Sequence, residues 1–220
     1  MTGIARALTD VRERIAAAAR GAGRDPDTVR LVAATKTVSA DRVAEAVALG
    51  VADVGENRAQ ELLAKAETLE AHAPSSTGAV CWHFLGRLQR NKVRSLASRV
   101  TWWHSVDREA LGVAIARHAP GARVLVEVNV AGEPQKGGCA PGDAARLADA
   151  LGASGLRVEG LMTIPPAGDD PRPWFAALRD LAGEVGVREL SMGMTDDFEA
   201  AVAEGATMVR IGRAIFGARA

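Results

Sequence analysis

Lys36 directly follows the apolar run Leu31-Val32-Ala33-Ala34-Thr35, at a place where an amine can do covalent chemistry. A short apolar run reads as a strand, and a lysine at its C-terminal end projects from the rim of the sheet. Partial desolvation beside other cations lowers a lysine from its ordinary pKa of about 10.4. More of it is then the free amine that attacks an aldehyde. A rim lysine held in a salt bridge, with Glu56 for example, is the plainer alternative. Far along the chain, Ser191-Met192-Gly193-Met194-Thr195-Asp196 and Arg210-Ile211-Gly212-Arg213 each lead from a strand candidate toward a helix. Thr195 or Asp196 would cap the first of these helices. Small residues ahead of two helix N-termini offer backbone N–H groups to a phosphate dianion. Glycines that only serve tight turns would explain either segment alone. A lysine across from a phosphate site defines more: a ligand with an aldehyde at one end and a phosphate at the other.

These residues need a frame that brings both ends of the chain to one rim. Strand patterns fall at 31–35, 52–55, 80–85, 101–104, 123–130, 156–162, 189–192 and 207–211. Helical periods fall between them at 39–49, 59–70, 88–97, 108–118, 144–151, 173–185 and 197–204. Alternating strands and helices imply parallel pairing with right-handed crossovers. Eight such units point to a single closed (β/α)8 barrel of the TIM type over residues 1–220. No Gly-x-Gly-x-x-Gly follows the first strand, so a dinucleotide fold has little support. Barrel chemistry gathers where strands end. The polar residues there are Lys36, Glu56, Asn57, His83, Ser105, Asn129, Thr163, Ser191 and Arg210, with Met162 and Gly212 beside them.

Ahead of the barrel, Ile4, Leu8, Val11 and Ile15 recur at helical spacing, so 1–22 reads as a helix packed on the domain rather than a secretory signal. Segments 71–78 and 165–173 read as loops, the second over the barrel rim, and 133–138 as a flexible loop with a solvated Lys136. Trp102 and Trp103 read as packing between barrel and helices.

Composition excludes several classes. The 220 residues carry 27 Lys and Arg against 27 Asp and Glu, which gives no cue for nucleic acid or an anionic membrane. The 48% hydrophobic content is that of a globular protein, and no apolar run is long enough to span a bilayer. Two separated cysteines, Cys81 and Cys139, suggest reduced thiols rather than a disulfide framework or a metal cluster. A cytoplasmic location is expected, and no apolar stripe asks for a dimer, so a monomer is expected too.

The motifs resemble a known family. Leu31 to Lys36 and Gly55-Glu56-Asn57-Arg58-Ala59-Gln60-Glu61 look like the start of the pyridoxal phosphate homeostasis proteins. Trp82-His83-Phe84-Leu85-Gly86-Arg87-Leu88-Gln89-Arg90-Asn91-Lys92, Ser105-Val106-Asp107, Ser191-Met192-Gly193-Met194 and Arg210-Ile211-Gly212 with Ile215-Phe216-Gly217 follow in the family's order. The resemblance covers nearly the whole chain. It implies the barrel of alanine racemase without that enzyme's second domain, and pyridoxal 5'-phosphate as cofactor. It implies that Lys36 carries the Schiff base, and that Ser191 and the backbone of Gly212 and Arg213 hold the phosphate. It also implies Arg210 against the pyridine nitrogen, with Asn57 and Met162 lining the ring pocket. His83 is read as a hydrogen-bonded histidine in the barrel wall. Arg213 stands where the family usually has threonine, and Thr195 where it usually has serine.

The resemblance implies a carrier or regulator in vitamin B6 homeostasis, with no established substrate and with cofactor-dependent apo-enzymes as conceivable recipients. The residues agree with a non-catalytic role. The chain has no tyrosine, so it cannot supply the racemase's second base. A guanidinium at the pyridine nitrogen only donates, which leaves the ring a poorer electron sink. A racemase or aldolase acting on a small amino acid is one alternative. A lysine aldolase acting on a sugar phosphate is the other.

Overall fold

A computed structural model of the chain describes residues 2–72 and 80–217. Among them the strands β1 (Arg30–Ala34), β2 (Asp53–Glu56), β3 (Cys81–Phe84), β4 (Val100–Val106), β5 (Arg123–Glu127), β6 (Arg157–Met162), β7 (Glu189–Ser191) and β8 (Met208–Ile211) close into a barrel in chain order. Every pairing is parallel, and β1 completes the ring on β8 with Val32 opposite Arg210. Around it run α2 (Ala40–Ala48), α3 (Ala59–His72), α4 (Val93–Leu96), α5 (Glu109–His118), α6 (Ala144–Ala153), α7 (Arg172–Val185), α8 (Phe198–Ala203) and α9 (Arg213–Phe216). The leading helix α1 (Gly3–Gly21) lies against α8 and α9. It buries the expected Ile4, Leu8, Val11 and Ile15, and Thr2 Oγ1 caps it by accepting from Ala5 N–H.

Barrel strands are buried on both faces, which is why they read as apolar runs rather than alternating ones. The period of two still sorts the two sides. Ala33, Val54, Trp103, Val124, Leu161 and Val209 face outward onto the helices. Val32, Leu85, Trp102, Leu125, Met162 and Met208 form a small apolar cluster within the ring. The tryptophan pair is therefore split. Trp103 packs under the helices as expected, but Trp102 lies inside, stacked on His83 with ring centroids 6.1 Å apart.

Other expectations shift at element ends. The fifth strand stops at Glu127, three residues early, because Cys139 takes over the pairing: its N–H donates to Glu127 O and its carbonyl accepts from Asn129 N–H. The helix expected at 88–97 shrinks to α4 behind a 3₁₀ turn, Arg90–Lys92. Gln89 has extended backbone there, and Arg108 occupies the Leu88 carbonyl. The loop expected at 71–78 begins late, since Ala71 and His72 finish α3; its remainder lies outside the described residues. Segment 165–173 is loop up to Pro171, and Pro173 sits in the first turn of α7, where proline is tolerated. Gly86 matters for the rim: a Cβ there would lie 2.3 Å from Asn57 O, so only glycine lets the β3 exit cross the β2 exit.

Candidate functional site

A cavity of about 570 Å³ opens at the C-terminal rim of the barrel. Lys36, Asn57, Arg210, Gly212 and Arg213 all line it. The remaining two expected site residues do not. Met162 is 1% exposed, inside the apolar cluster of the ring. Ser191 is fully buried, and its Oγ is 2.6 Å from Arg210 Nη1 and 2.8 Å from His104 Nδ1.

The Lys36 end is a built turn. Thr37 has φ 65°, the left-handed region that a β-branched residue rarely enters. Such strain persists only where neighbours fix it. Here Thr37 N–H donates to Glu61 Oε2 on α3 at 3.0 Å, which also holds the Glu61 carboxyl below its ordinary range. One helical turn on, Lys65 reaches back and donates to Thr35 O at 2.7 Å and to the buried Glu56 carboxylate. Thr35 Oγ1 donates to the same carboxylate at 2.6 Å. Glu56 is thus bound by Lys65 and Thr35, and the segment just before Lys36 is pinned to α3. Lys36 itself is exposed at the cavity edge, so the desolvation expected for it is not found.

The opposite end is closed by its own side chains more than the sequence suggested. The cap of α8 is Asp197, not Thr195 or Asp196. Asp197 Oδ1 accepts from Met194 N–H at 2.5 Å, and burial raises its pKa despite that bond. Thr195 Oγ1 accepts from Ala214 N–H at 3.4 Å, tying the β7 turn to α9. The Arg213 guanidinium pairs with Asp196. Gly212 brings its backbone against β1: a Cβ there would lie 2.8 Å from Ala34 O. With helices of six and four residues behind these turns, dipoles contribute little, and charge comes from side chains. Four cations, Lys36, Arg42, Arg210 and Arg213, line the cavity against two carboxylates, Asp196 and Asp197.

Arg210 forms part of the inner wall. It is 5% exposed, and Nη2 donates to Thr163 O at 2.9 Å. Burial pushes its pKa down to about 10, so it remains a cation at neutral pH. Arg42 was not legible in the sequence. It reaches the cavity from the first turn of α2, its Nη2 donating to Phe216 O at 2.7 Å, and no motif marks it. His83 is an interior hydrogen-bonded histidine, as expected. Lys136 is not solvated in isolation: it pairs with Glu133 and donates to Pro165 O at 2.8 Å, joining two rim loops.

Glu127 ends β5 with Oε2 buried and without a hydrogen-bond partner among the described residues. Burial, aided by Asp107, pushes its pKa up from 4.5 to about 7. The folded state therefore holds a proton that the unfolded state releases, and stability falls as pH rises from about 4.5 to 7. The full cost above that window is of order 3 kcal/mol. Glu127→Gln is expected to raise unfolding free energy in urea by about 1–3 kcal/mol at pH 8 and by little at pH 5. Equal gains at both pH values would contradict the assignment.

Residues 7–220 match the family model described as alanine racemase, N-terminal domain. The chain is 45% identical over 229 residues to the pyridoxal phosphate homeostasis protein of Pseudomonas aeruginosa, covering 100% of this chain and 97% of that one. A crystal structure of an unknown protein from Bifidobacterium adolescentis superposes with a TM-score of 0.89 at 40% identity, over 97% of this chain and 94% of that one. PipY of Synechococcus elongatus, solved with PLP bound, gives a TM-score of 0.82 at 32% identity, over 97% of this chain and 100% of that one. With barrel, rim cavity and full-length matches in agreement, the chain belongs to the alanine racemase N-terminal domain family, among the pyridoxal phosphate homeostasis proteins.

Proposed function

We propose that the chain binds pyridoxal 5'-phosphate at this rim through a Schiff base on Lys36, and holds it reversibly as a carrier or regulator of the cofactor supply. One observation carries this reading: Lys36 and the Gly212–Arg213 turn line the same cavity, whose cations outnumber its carboxylates. An aldehyde at one end and a phosphate dianion at the other suit those two walls. Lys36 would take the aldehyde carbon, the Gly212 and Arg213 backbone the phosphate, and Arg210 the ring nitrogen, with Asn57 beside the ring. Ser191 and Met162 take supporting roles instead of contact: Ser191 grips Arg210, and Met162 fills the ring below. When bound, the cofactor supplies an electrophilic aldehyde and a ring that can accept electrons.

A carrier fits better than a catalyst. The chain has no tyrosine to serve as a second base, and Arg210 offers the ring nitrogen only a donor. Relatives that share its full length are named for cofactor homeostasis, and the PipY structure was solved with PLP. A monomer in the cytoplasm, passing cofactor to apo-enzymes, is the setting this implies; no helix among the described residues is long and apolar enough to cross a membrane.

The test is protein purified without added cofactor. A yellow preparation whose colour is bleached by borohydride, with the added mass on the Lys36 peptide, is the expected result. A colourless preparation that takes up no added cofactor, or a label on another lysine, would overturn it. In deuterated water, α-proton exchange of an amino acid that requires Lys36 would instead make the protein an enzyme.

A further inference from the structure

Five polar side chains cross the barrel interior in one line. Arg210 Nη1 lies 2.6 Å from Ser191 Oγ, and Ser191 Oγ 2.8 Å from His104 Nδ1. His104 Nε2 lies 2.8 Å from His83 Nδ1, and His83 Nε2 2.8 Å from Asp53 Oδ1. Both histidines and Ser191 are fully buried. The line begins at the cavity wall and ends at Asp53, the first residue of β2, where Arg30 Nη1 stands 3.6 Å from the same carboxylate oxygen.

The two ends dictate where each proton sits. A guanidinium can only donate and an ionised carboxylate can only accept. Ser191 Oγ accepts from Arg210, so its own proton goes to His104 Nδ1. His104 is then a neutral imidazole with its proton on Nε2, donated to His83 Nδ1. His83 in turn carries its proton on Nε2 and gives it to Asp53. Each link holds one proton, and every member is satisfied with both rings neutral. The reverse order sets an unprotonated His83 Nε2 against a carboxylate, or else needs a buried imidazolium. Burial lowers the pKa of both histidines, which favours neutral rings; burial works the other way on Asp53, but its bond from His83 and the nearby Arg30 outweigh it and hold the carboxyl below its ordinary value. Asp53, Cys81 and His83 also bring three potential metal ligands within 4.8 Å of one another, a grouping that no motif in the sequence suggests. Arg30 and the His83 proton already occupy the place where a cation's charge would act.

We infer that Ser191, His104, His83 and Asp53 are positioning residues for Arg210, a one-way hydrogen-bond chain that fixes its guanidinium as a donor toward the cofactor ring nitrogen. The inference rests on the proposed cofactor site for its purpose but not for its proton order. Removing one hydrogen bond to a charged group weakens the anchor enough to cost roughly tenfold in cofactor retention.

Imidazole ¹⁵N–¹H correlation spectra of the protein test the order with or without cofactor. Both histidines are expected as neutral Nε2–H tautomers. An Nδ1–H tautomer or an imidazolium at either would overturn the chain. In Asp53→Leu the terminal acceptor of the His83 Nε2 proton is gone, and that proton resonance is expected to move upfield while His104, still set by Ser191, keeps its tautomer; an unchanged His83 resonance would remove Asp53 from the role. The purpose is read from cofactor labelled with ¹⁵N in its ring. Ser191→Ala and His104→Leu are expected to move that resonance and to retain roughly tenfold less cofactor. His104→Asn, whose carbonyl can accept from Ser191 as Nδ1 does, is expected to restore both. If Leu and Asn behave alike, His104 merely packs. If no variant binds cofactor and neither does the unaltered protein, the proposed function fails while the tautomer result stands.

Discussion

Lys36→Ala is expected to yield a colourless protein that folds as the parent does. Lys36 is exposed at the cavity edge, whereas the ion pair and carbonyl contacts that hold its turn belong to Lys65, Glu56 and Glu61. Truncating an exposed rim side chain changes stability by about 0.5 kcal/mol or less. The chemical effect is large, because among the described residues Lys36 is the one lysine that lines the cavity. Arg210, Gly212 and Arg213 remain, so the phosphate wall should still bind the cofactor without a covalent link. Retention after desalting is expected to fall on the order of a hundredfold as the covalent bond is replaced by a few polar contacts. Absorbance spectra before and after borohydride, with thermal unfolding in parallel, read both halves. Equal colour in parent and variant would place the Schiff base on another lysine.

The barrel was legible because its signal is periodic and repeated. Each strand's apolar run is bounded by turn residues, and eight in succession leave few topologies. Element ends were less legible because they depend on contacts from elsewhere. Cys139 ends β5 by pairing with Glu127 and Asn129, and Arg108 unwinds the start of α4 through Leu88 O. Five of the seven expected site residues reach the cavity: Lys36, Asn57, Gly212 and Arg213 because they follow strands on the rim, and Arg210 from within β8 on the length of its side chain. Ser191 and Met162 are also at strand ends, but as inward members of the last layer they point into the ring. Position along a strand is visible in a sequence; whether the final inward side chain reaches the mouth depends on strand tilt and is not. The line from Asp53 to Arg210 was hidden for a different reason. Its members lie on five strands, and a lone buried histidine has no spacing that announces a partner.

Lys65→Met is expected to damage the fold more than any change at Lys36, although Lys65 touches no ligand in the proposed site. Lys65 is 8% exposed and Glu56 is not exposed at all, so this is a buried ion pair. Removing one partner leaves a carboxylate inside the protein with no cation on it, held by Thr35 Oγ1 and the Asn57 N–H alone, a loss of about 3–5 kcal/mol in comparable pairs. The methionine keeps most of the apolar stem, so little of that loss is packing. Urea unfolding at pH 7 should show it directly. Glu56→Gln in the Lys65→Met background removes the stranded charge and is expected to recover a large part of it, which simple loss of shape would not. The second consequence is functional. Lys65 grips the Thr35 carbonyl, one peptide before Lys36, and Thr37 holds a left-handed φ that relies on the same helix face. Freed from Lys65, that turn can relax and carry the Lys36 amine away from the Gly212 wall. Cofactor uptake at 25 °C, where the variant is still mostly folded, is therefore expected to slow roughly tenfold. Unchanged uptake together with the full stability loss would make Lys65 a structural anchor alone.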